Sequence, residues 1–403
     1  MPVPPLPRPD VSRIVGVDVA RGLALLGMFS VHVFGAFDAA GSVTPAWMFA
    51  GGRSAATFAV TAGIGLAFTT GGRRPVTGRA SAAAVAARAG VIALIGLLLG
   101  YASRAADLDV DVILAFYALL FLCAIPLLGL GPRLLAGLAL VLAVAAPVVL
   151  YAVRGAFPEP AFDGDPTLTD LVTDPVGLLS DLLVHGDYPV LAWTTYLCAG
   201  LAVGRLDLTN RRVAAGLFAG GLTVLSGTWL VSSLALFRYG GFDHLWHAEF
   251  AGSSRSEALW DTPDGETWWA LLSRAPHSTT PFDMLLTLGA ATAILGGSLL
   301  LTRSRALTWA LSPLAAAGSM PLTLYSAHVL LLATGALSGS PDLLYALMAS
   351  GALLYAVVWR HTVGRGPLET IVAVSARKAR VAATPQPPEE PDHPPVRLGK
   401  QTE

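Results

Sequence analysis

The first apolar run of the chain carries three side chains that can hold or move charge. It reads Val15-Gly-Val-Asp18-Val-Ala-Arg21-Gly22-Leu-Ala-Leu-Leu-Gly-Met28-Phe-Ser-Val-His32. Ionisable groups in hydrocarbon are costly, so they face a protein interior or a watery cavity and mark function. On a helix, Arg21 and His32 stand about 16 Å apart along the axis, on nearly one face. Asp18 lies at i,i+3 from Arg21 on the same side. One stripe therefore presents an ion pair low down and an imidazole higher up. A second imidazole follows in Pro321-Leu-Thr323-Leu-Tyr325-Ser326-Ala-His328. Tyr325 and His328 share a face, and Pro321 should loosen the helix below them, freeing a carbonyl to line a cavity.

Counted from the ends of their runs, His32 and His328 fall at similar depth, and Asp283 reaches the same level. Neutral histidine is suited to take a proton from a hydroxyl or amine near pH 7, and a nearby carboxylate would fix its tautomer. Arg53, in Gly51-Gly52-Arg53-Ser54, either snorkels to the interface or binds an anionic group. Plainer roles exist for each of these residues. An imidazole between helices also serves as a hydrogen-bonding spacer, and Asp18–Arg21 as a structural ion pair. Gly63-Ile-Gly65 fits close helix packing better than phosphate binding. No Walker loop, zinc-protease motif or G-x-S-x-G elbow is present.

The elements that must position these groups are membrane helices. Of 403 residues, 54% are hydrophobic and 13% charged, against about 25% charged in soluble domains. We expect an all-α polytopic membrane protein with spans near 15–37, 48–69, 82–101, 109–130, 133–153, 189–204, 213–237, 282–301, 309–335 and 342–360. With the N-terminus cytoplasmic, Arg73, Arg74, Arg79, Arg88, Arg205, Arg211, Arg212, Arg303, Arg305, Arg360 and Arg365 fall on the inner side. The outer side holds only Arg104, Arg154, Arg238, Arg255 and Arg274. That bias is the positive-inside rule and places both termini in the cytoplasm. The first apolar run is read as a retained helix rather than a cleaved signal, because many spans follow it.

The expected organisation is a cytoplasmic segment 1–13, a membrane domain 14–362 and a tail 363–403 that is basic, then Pro-rich and disordered. The basic part of the tail would lie near lipid headgroups. A net charge of −1 gives no footing for a nucleic-acid partner, and Cys123 and Cys198 lie in apolar runs that favour neither a disulfide nor a metal site. Two long outer segments remain. Residues 154–188 are acidic and Pro-rich, while 238–281 hold Trp246, Trp260, Trp268, Trp269 and His277. The tryptophans serve as interfacial anchors or as a stacking surface for a flat substrate.

These residues resemble a known group. Val17-Asp18-x-x-Arg21-Gly22-Leu with Met28 is similar to the opening helix of the transmembrane acyltransferase superfamily. Gly52-Arg53-x-x-x-x-Phe58-x-x-x-x-Gly63, Asp111-Val-Ile113-Leu114-x-x-Tyr117-x-x-Leu120-Phe121 and Gly318-x-Met320-x-Leu322-Thr323-x-Tyr325-x-x-His328 resemble its bacterial YeiB-like branch, related to heparan-alpha-glucosaminide N-acetyltransferase. The resemblance implies a plasma-membrane enzyme that moves an acyl group from a cytoplasmic acyl thioester, acyl-CoA, to a hydroxyl or amine of a glycan or lipid-linked acceptor outside. It further implies His32 as base and Arg21 near the donor; our reading of the residues adds Asp18 beside Arg21, and His328 in support of His32 or in the reverse role. Arg53, Tyr325 and Asp283 would orient the acceptor or the developing charge, with His277 in the loop that shapes its site. The lysosomal relative uses a histidine in the loop after helix one, but residues 33–52 contain none, so that assignment does not carry over.

No metal is called for; membrane lipids are the expected surroundings, and a homodimer is left open. The alternatives are an ion-coupled transporter or exporter of a cell-envelope intermediate, which would use the same buried charges, and a non-enzymatic envelope-assembly protein.

Overall fold

A computed structural model describes residues 14–263 and 265–384. The expected N-terminal segment 1–13 and the Pro-rich end of the tail lie outside the described residues. The described chain is helical, with one isolated bridge between Phe37 and Val43. Among the described residues, six helices or helical runs are long and apolar enough to cross a membrane: Val15–Phe34, Arg79–Ala105, Pro132–Ala156, Arg211–Arg238, Pro281–Leu301 and Pro341–Thr362. We label the site-forming helices in chain order as α1 (Val15–Phe34), α2 (Pro45–Ala50), α3 (Arg53–Thr69), α4 (Arg79–Ala105), α5 (Leu114–Ala124) and α6 (Pro132–Val153). Next come α7 (Leu168–Thr173), α8 (Pro175–Ser180), α9 (Val190–Gly204), α10 (Arg211–Ser233), α11 (Gly241–Glu249), α12 (Arg255–Trp260) and α13 (Pro281–Leu301). The last five are α14 (Arg305–Ala310), α15 (Ser312–Ala317), α16 (Pro321–Leu332), α17 (Pro341–Thr362) and α18 (Pro367–Ala382).

The helices divide by what surrounds them. Helices α3, α9 and α13 are buried along most of their length, so their sequences are apolar all round rather than striped. Helices α6, α10 and α17 instead expose Leu134, Leu140, Val141, Leu230, Val231, Leu347 and Leu354. Apolar faces of this extent suit lipid, not water.

Helix α1 runs through the middle of the bundle against α3, α13 and α15. Its crossing with α15 is close because two glycines leave room. A Cβ on Gly22 would fall 2.2 Å from the Leu314 carbonyl oxygen, and one on Gly318 would fall 1.8 Å from that of Asp18. Small residues at such crossings let backbones touch.

Two expectations are corrected. The span expected at 309–335 is not one helix: it breaks into α14, α15 and α16, with Gly318–Met320 between the last two. Pro321 has no amide to continue the ladder and sits at the first position of α16, where none is needed. The tail is also more ordered than its composition implied. Residues Pro367–Ala382 form α18, which packs on α4 and α16. Cys123 and Cys198 are free thiols.

Candidate functional site

His32 and His328 meet. Nδ1 of His32 lies 2.9 Å from Nε2 of His328, and the rings are only 12° from parallel with centroids 5.1 Å apart. With nitrogens this close, the contact runs edge to edge in the ring planes, which is the geometry of an N–H···N bond. The other nitrogen of His328, Nδ1, is hydrogen-bonded to the Tyr325 carbonyl one turn earlier. A carbonyl only accepts, so this Nδ1 carries the proton and Nε2 of His328 is an acceptor. The shared proton then belongs to Nδ1 of His32, which leaves Nε2 of His32 as the free base. The expected tautomer-fixing carboxylate is therefore replaced by a backbone carbonyl. Phe29 and Tyr325 hold His328 from two sides, with centroids at 4.6 and 4.8 Å.

His32 lines a small cavity of about 20 Å³ together with Met28, Ser54, Ile113, Tyr188, His277 and Tyr325, among others. Of the remaining expected residues, Tyr325 and His277 reach this cavity directly. The Tyr325 hydroxyl donates to the Asp111 carbonyl at 3.3 Å and accepts from the Ile113 amide at 3.3 Å, tying α16 to the loop before α5. His277 stands in the loop before α13, stacked on Trp47 at 5.7 Å and edge-on to Tyr188 at 5.5 Å. Its backbone is left-handed at φ +65°, as is that of Thr279 at +49°. Side chains held in that region cluster at functional sites. Burial lowers the His277 pKa, and the negative charge of Asp187 opposes that shift.

Asp283 and Arg53 do not line the cavity. One oxygen of Asp283 accepts from the Thr279 amide at 3.2 Å, so this carboxylate braces the His277 loop from the first turn of α13. Arg53 donates to the carbonyls of Met48 and Gly51 at 2.9 and 3.3 Å, closing α2. Both support the wall of the site rather than face its space. Asp18 and Arg21 pair at 3.4 Å as their spacing implied. Arg21 also donates to the Gly318 and Thr61 carbonyls at 3.0 and 3.2 Å. The Gly318 acceptor is the carbonyl that the break before Pro321 sets free.

Beyond the cavity, Asp111, Asp165 and Asp187 lie near Tyr188, and Asp181 lies near Asp165 and Asp187. Burial and neighbouring carboxylates raise the carboxyl of Asp165 and push that of Asp181 up to about 7. Asp187 itself is exposed.

A second cavity, of about 980 Å³, opens between α4, α17 and α18. Arg88, Arg360, Arg365, Arg377 and Arg380 line it, with Glu369 and Ser319. Glu369 accepts from the amides of Leu322 and Thr323 at 2.7 and 3.1 Å and from the Thr323 hydroxyl at 2.6 Å. It thereby caps α16 from α18. Sequence reasoning missed this cap and the convergence of the arginines; Glu369, as an isolated acid next to the basic run of α18, was the available signal. Among the described residues no histidine, cysteine or carboxylate group is arranged to hold a metal.

The outer tryptophans are largely spent on packing. Trp269 stacks on His244 at 4.7 Å and Trp268 meets Tyr151 at 4.4 Å. Trp246 and Trp269 pack on a small core of Leu236, Phe242, Leu245 and Phe250. A sugar-stacking surface of several free indoles is not what this arrangement offers.

The apolar bundle defines a multi-pass membrane protein with a pair of hydrogen-bonded histidines inside it. The family model for the heparan-alpha-glucosaminide N-acetyltransferase catalytic region matches residues 13–237, and the chain belongs to that family. The match takes in Asp18, Arg21, His32 and Arg53 but stops before His277, Asp283 and His328. No curated protein and no solved structure matches the chain.

Proposed function

We propose that this protein is a membrane acetyltransferase that carries an acetyl group from acetyl-CoA, bound in the arginine-lined cavity, to a hydroxyl or amine of a glycan or lipid-linked acceptor on the opposite side. The observation that carries this reading is the tautomer chain from the Tyr325 carbonyl through His328 to His32, which leaves Nε2 of His32 as a base beside the small cavity. His328 holds that tautomer and spreads the charge when His32 takes a proton. His32 removes the acceptor proton as the acceptor attacks the thioester carbon, and the thiolate departs toward the arginines.

The donor end fits as well. Five guanidinium groups match the phosphates of a coenzyme A thioester, since arginine binds phosphate in a planar, bidentate fashion. Arg21 lies between the two cavities, roped to both α3 and the break before α16, where a thioester arm would pass. The arginine end is the cytoplasmic one by the positive-inside bias, and the plasma membrane is the setting in which an outer acceptor meets an inner donor. About 20 Å³ accepts a group of roughly water or methyl size, which favours acetyl over a long acyl chain.

The test is to supply purified protein in proteoliposomes with radiolabelled acetyl-CoA and glucosaminide or other envelope glycans. Free thiol together with labelled glycan supports the reading. Glycan uptake without thiol release would instead establish a transporter.

A further inference from the structure

We propose that His277 is the proton exit of the site, taking the acceptor's proton from His32 and passing it through Asp187 to water on the acceptor side. This rests on the acetyl-transfer reading above.

His277 comes from a loop far from α1, yet it lines the same small cavity as His32. Its Nδ1 is sealed from solvent and has no hydrogen-bond partner among the described residues, although the ring is otherwise partly exposed. A buried imidazole nitrogen normally finds a partner, and an exception calls for an explanation. The ring is also deliberately placed: Trp47 covers one face, Tyr188 meets it edge-on, and Asp283 anchors the left-handed backbone beneath it. His32 of α1 lines the same cavity, and Asp187 adjoins in the chain the Tyr188 ring that meets His277 edge-on, near enough for its charge to act on the imidazole. Asp187 is exposed and adjoins Asp111, Asp165 and Asp181. His328 cannot serve as the exit, because both of its nitrogens are engaged, one by His32 and one by the Tyr325 carbonyl.

The step balances as follows. The acceptor N–H or O–H gives its proton to Nε2 of His32, the new bond to the acetyl carbon forms, and the carbon–sulfur bond breaks. The thiolate leaves toward the arginine cavity and takes a proton from water there. The proton on His32 moves to His277, then to Asp187, then to water on the acceptor side. Each acetyl transferred thus releases one proton outside and consumes one inside. The simpler route, in which His32 returns its proton to the departing sulfur, releases none outside.

The experiment uses sealed proteoliposomes with the arginine end outward. Acetyl-CoA is added outside, glucosamine is trapped inside at a pH above its amine titration, and a pH-sensitive dye reports on the lumen. Thiol release outside counts turnovers. Wild-type protein should release about one proton into the lumen per thiol. His277→Asn keeps the left-handed backbone, which asparagine tolerates, and should lower kcat about 10²-fold with KM for acetyl-CoA unchanged; imidazole trapped in the lumen should restore part of the rate. Asp187→Asn, at an exposed position, should slow proton appearance without changing KM.

Normal transfer with no lumenal acidification overturns the proposal, as does His277→Asn protein with wild-type kcat and proton yield. If His277→Asn fails to fold, the wild-type proton count and Asp187→Asn decide. Absence of thiol release from the wild-type protein would instead remove the acetyl-transfer reading itself.

Discussion

The arginine-lined cavity encloses about 980 Å³ between helices that are partly exposed, and its lining includes five guanidinium groups and one carboxylate. The space beside His32 is about 20 Å³, walled by aromatic rings and small side chains. The first can seat a large anion that exchanges with water. The second has room for little more than a water or a methyl group. On the proposed reading, affinity and chemistry would fall at different ends of one bundle, and changes at each end should separate in kinetic constants.

The largest expected effect is at the small end. His32→Ala should lower kcat about 10²–10⁴-fold while thermal unfolding in detergent stays near wild type. Retention of wild-type transfer would remove the base and erase the distinction between the ends. At the large end, Arg377→Ala should raise KM for acetyl-CoA about tenfold to a hundredfold with kcat little changed. That follows from about 1.5–3 kcal/mol for a charged hydrogen bond. A fall in kcat without a change in KM would show that the two ends are not separable.

Two smaller effects sharpen the picture of what joins them. Gly318→Ala puts a methyl against the Asp18 carbonyl and should destabilise the α1–α15 crossing by about 1–3 kcal/mol, read as a lower Tm. Asp181 should give a mild pH dependence. Its carboxyl is pushed up to about 7, first by burial and then by Asp187 and Asp165, above an unfolded value of about 3.9. The folded state therefore holds the proton more tightly, and stability falls as pH rises from about 4 to about 7. Asp181→Asn should flatten that part of a Tm–pH curve; an unchanged slope would show that Asp181 does not supply it.

Residue spacing already carried much of the site. The Asp18–Arg21 pair follows from i,i+3 geometry, and the matched depth of His32 and His328 follows from counting along apolar runs; both pairs are in contact. Pro321 marked the place where a carbonyl comes free, although the extent of the break depends on the α1 crossing at Gly22 and Gly318, a tertiary fact. Asp283 and Arg53 were legible as buried charges but not as braces, because their partners are backbone groups that no side-chain pattern announces. Helix α18 was hidden for a different reason. Its polar composition resembles a tail, and only its packing on α4 and the cap that Glu369 provides give it a fixed place. The large cavity was unreadable for the same cause, since its arginines come from α4, α17, the turn before α18 and α18 itself.

The Glu369 cap has a bearing on biogenesis. The first turn of α16, three residues before Tyr325 and six before His328, depends on a side chain from the helix translated after α17. A ribosome-bound chain that has inserted α16 but not yet made α18 lacks both that cap and part of the arginine wall. The Tyr325–His328 end of the site should therefore reach its final form only after the last described helix has been made, so completion of the site is tied to completion of the bundle.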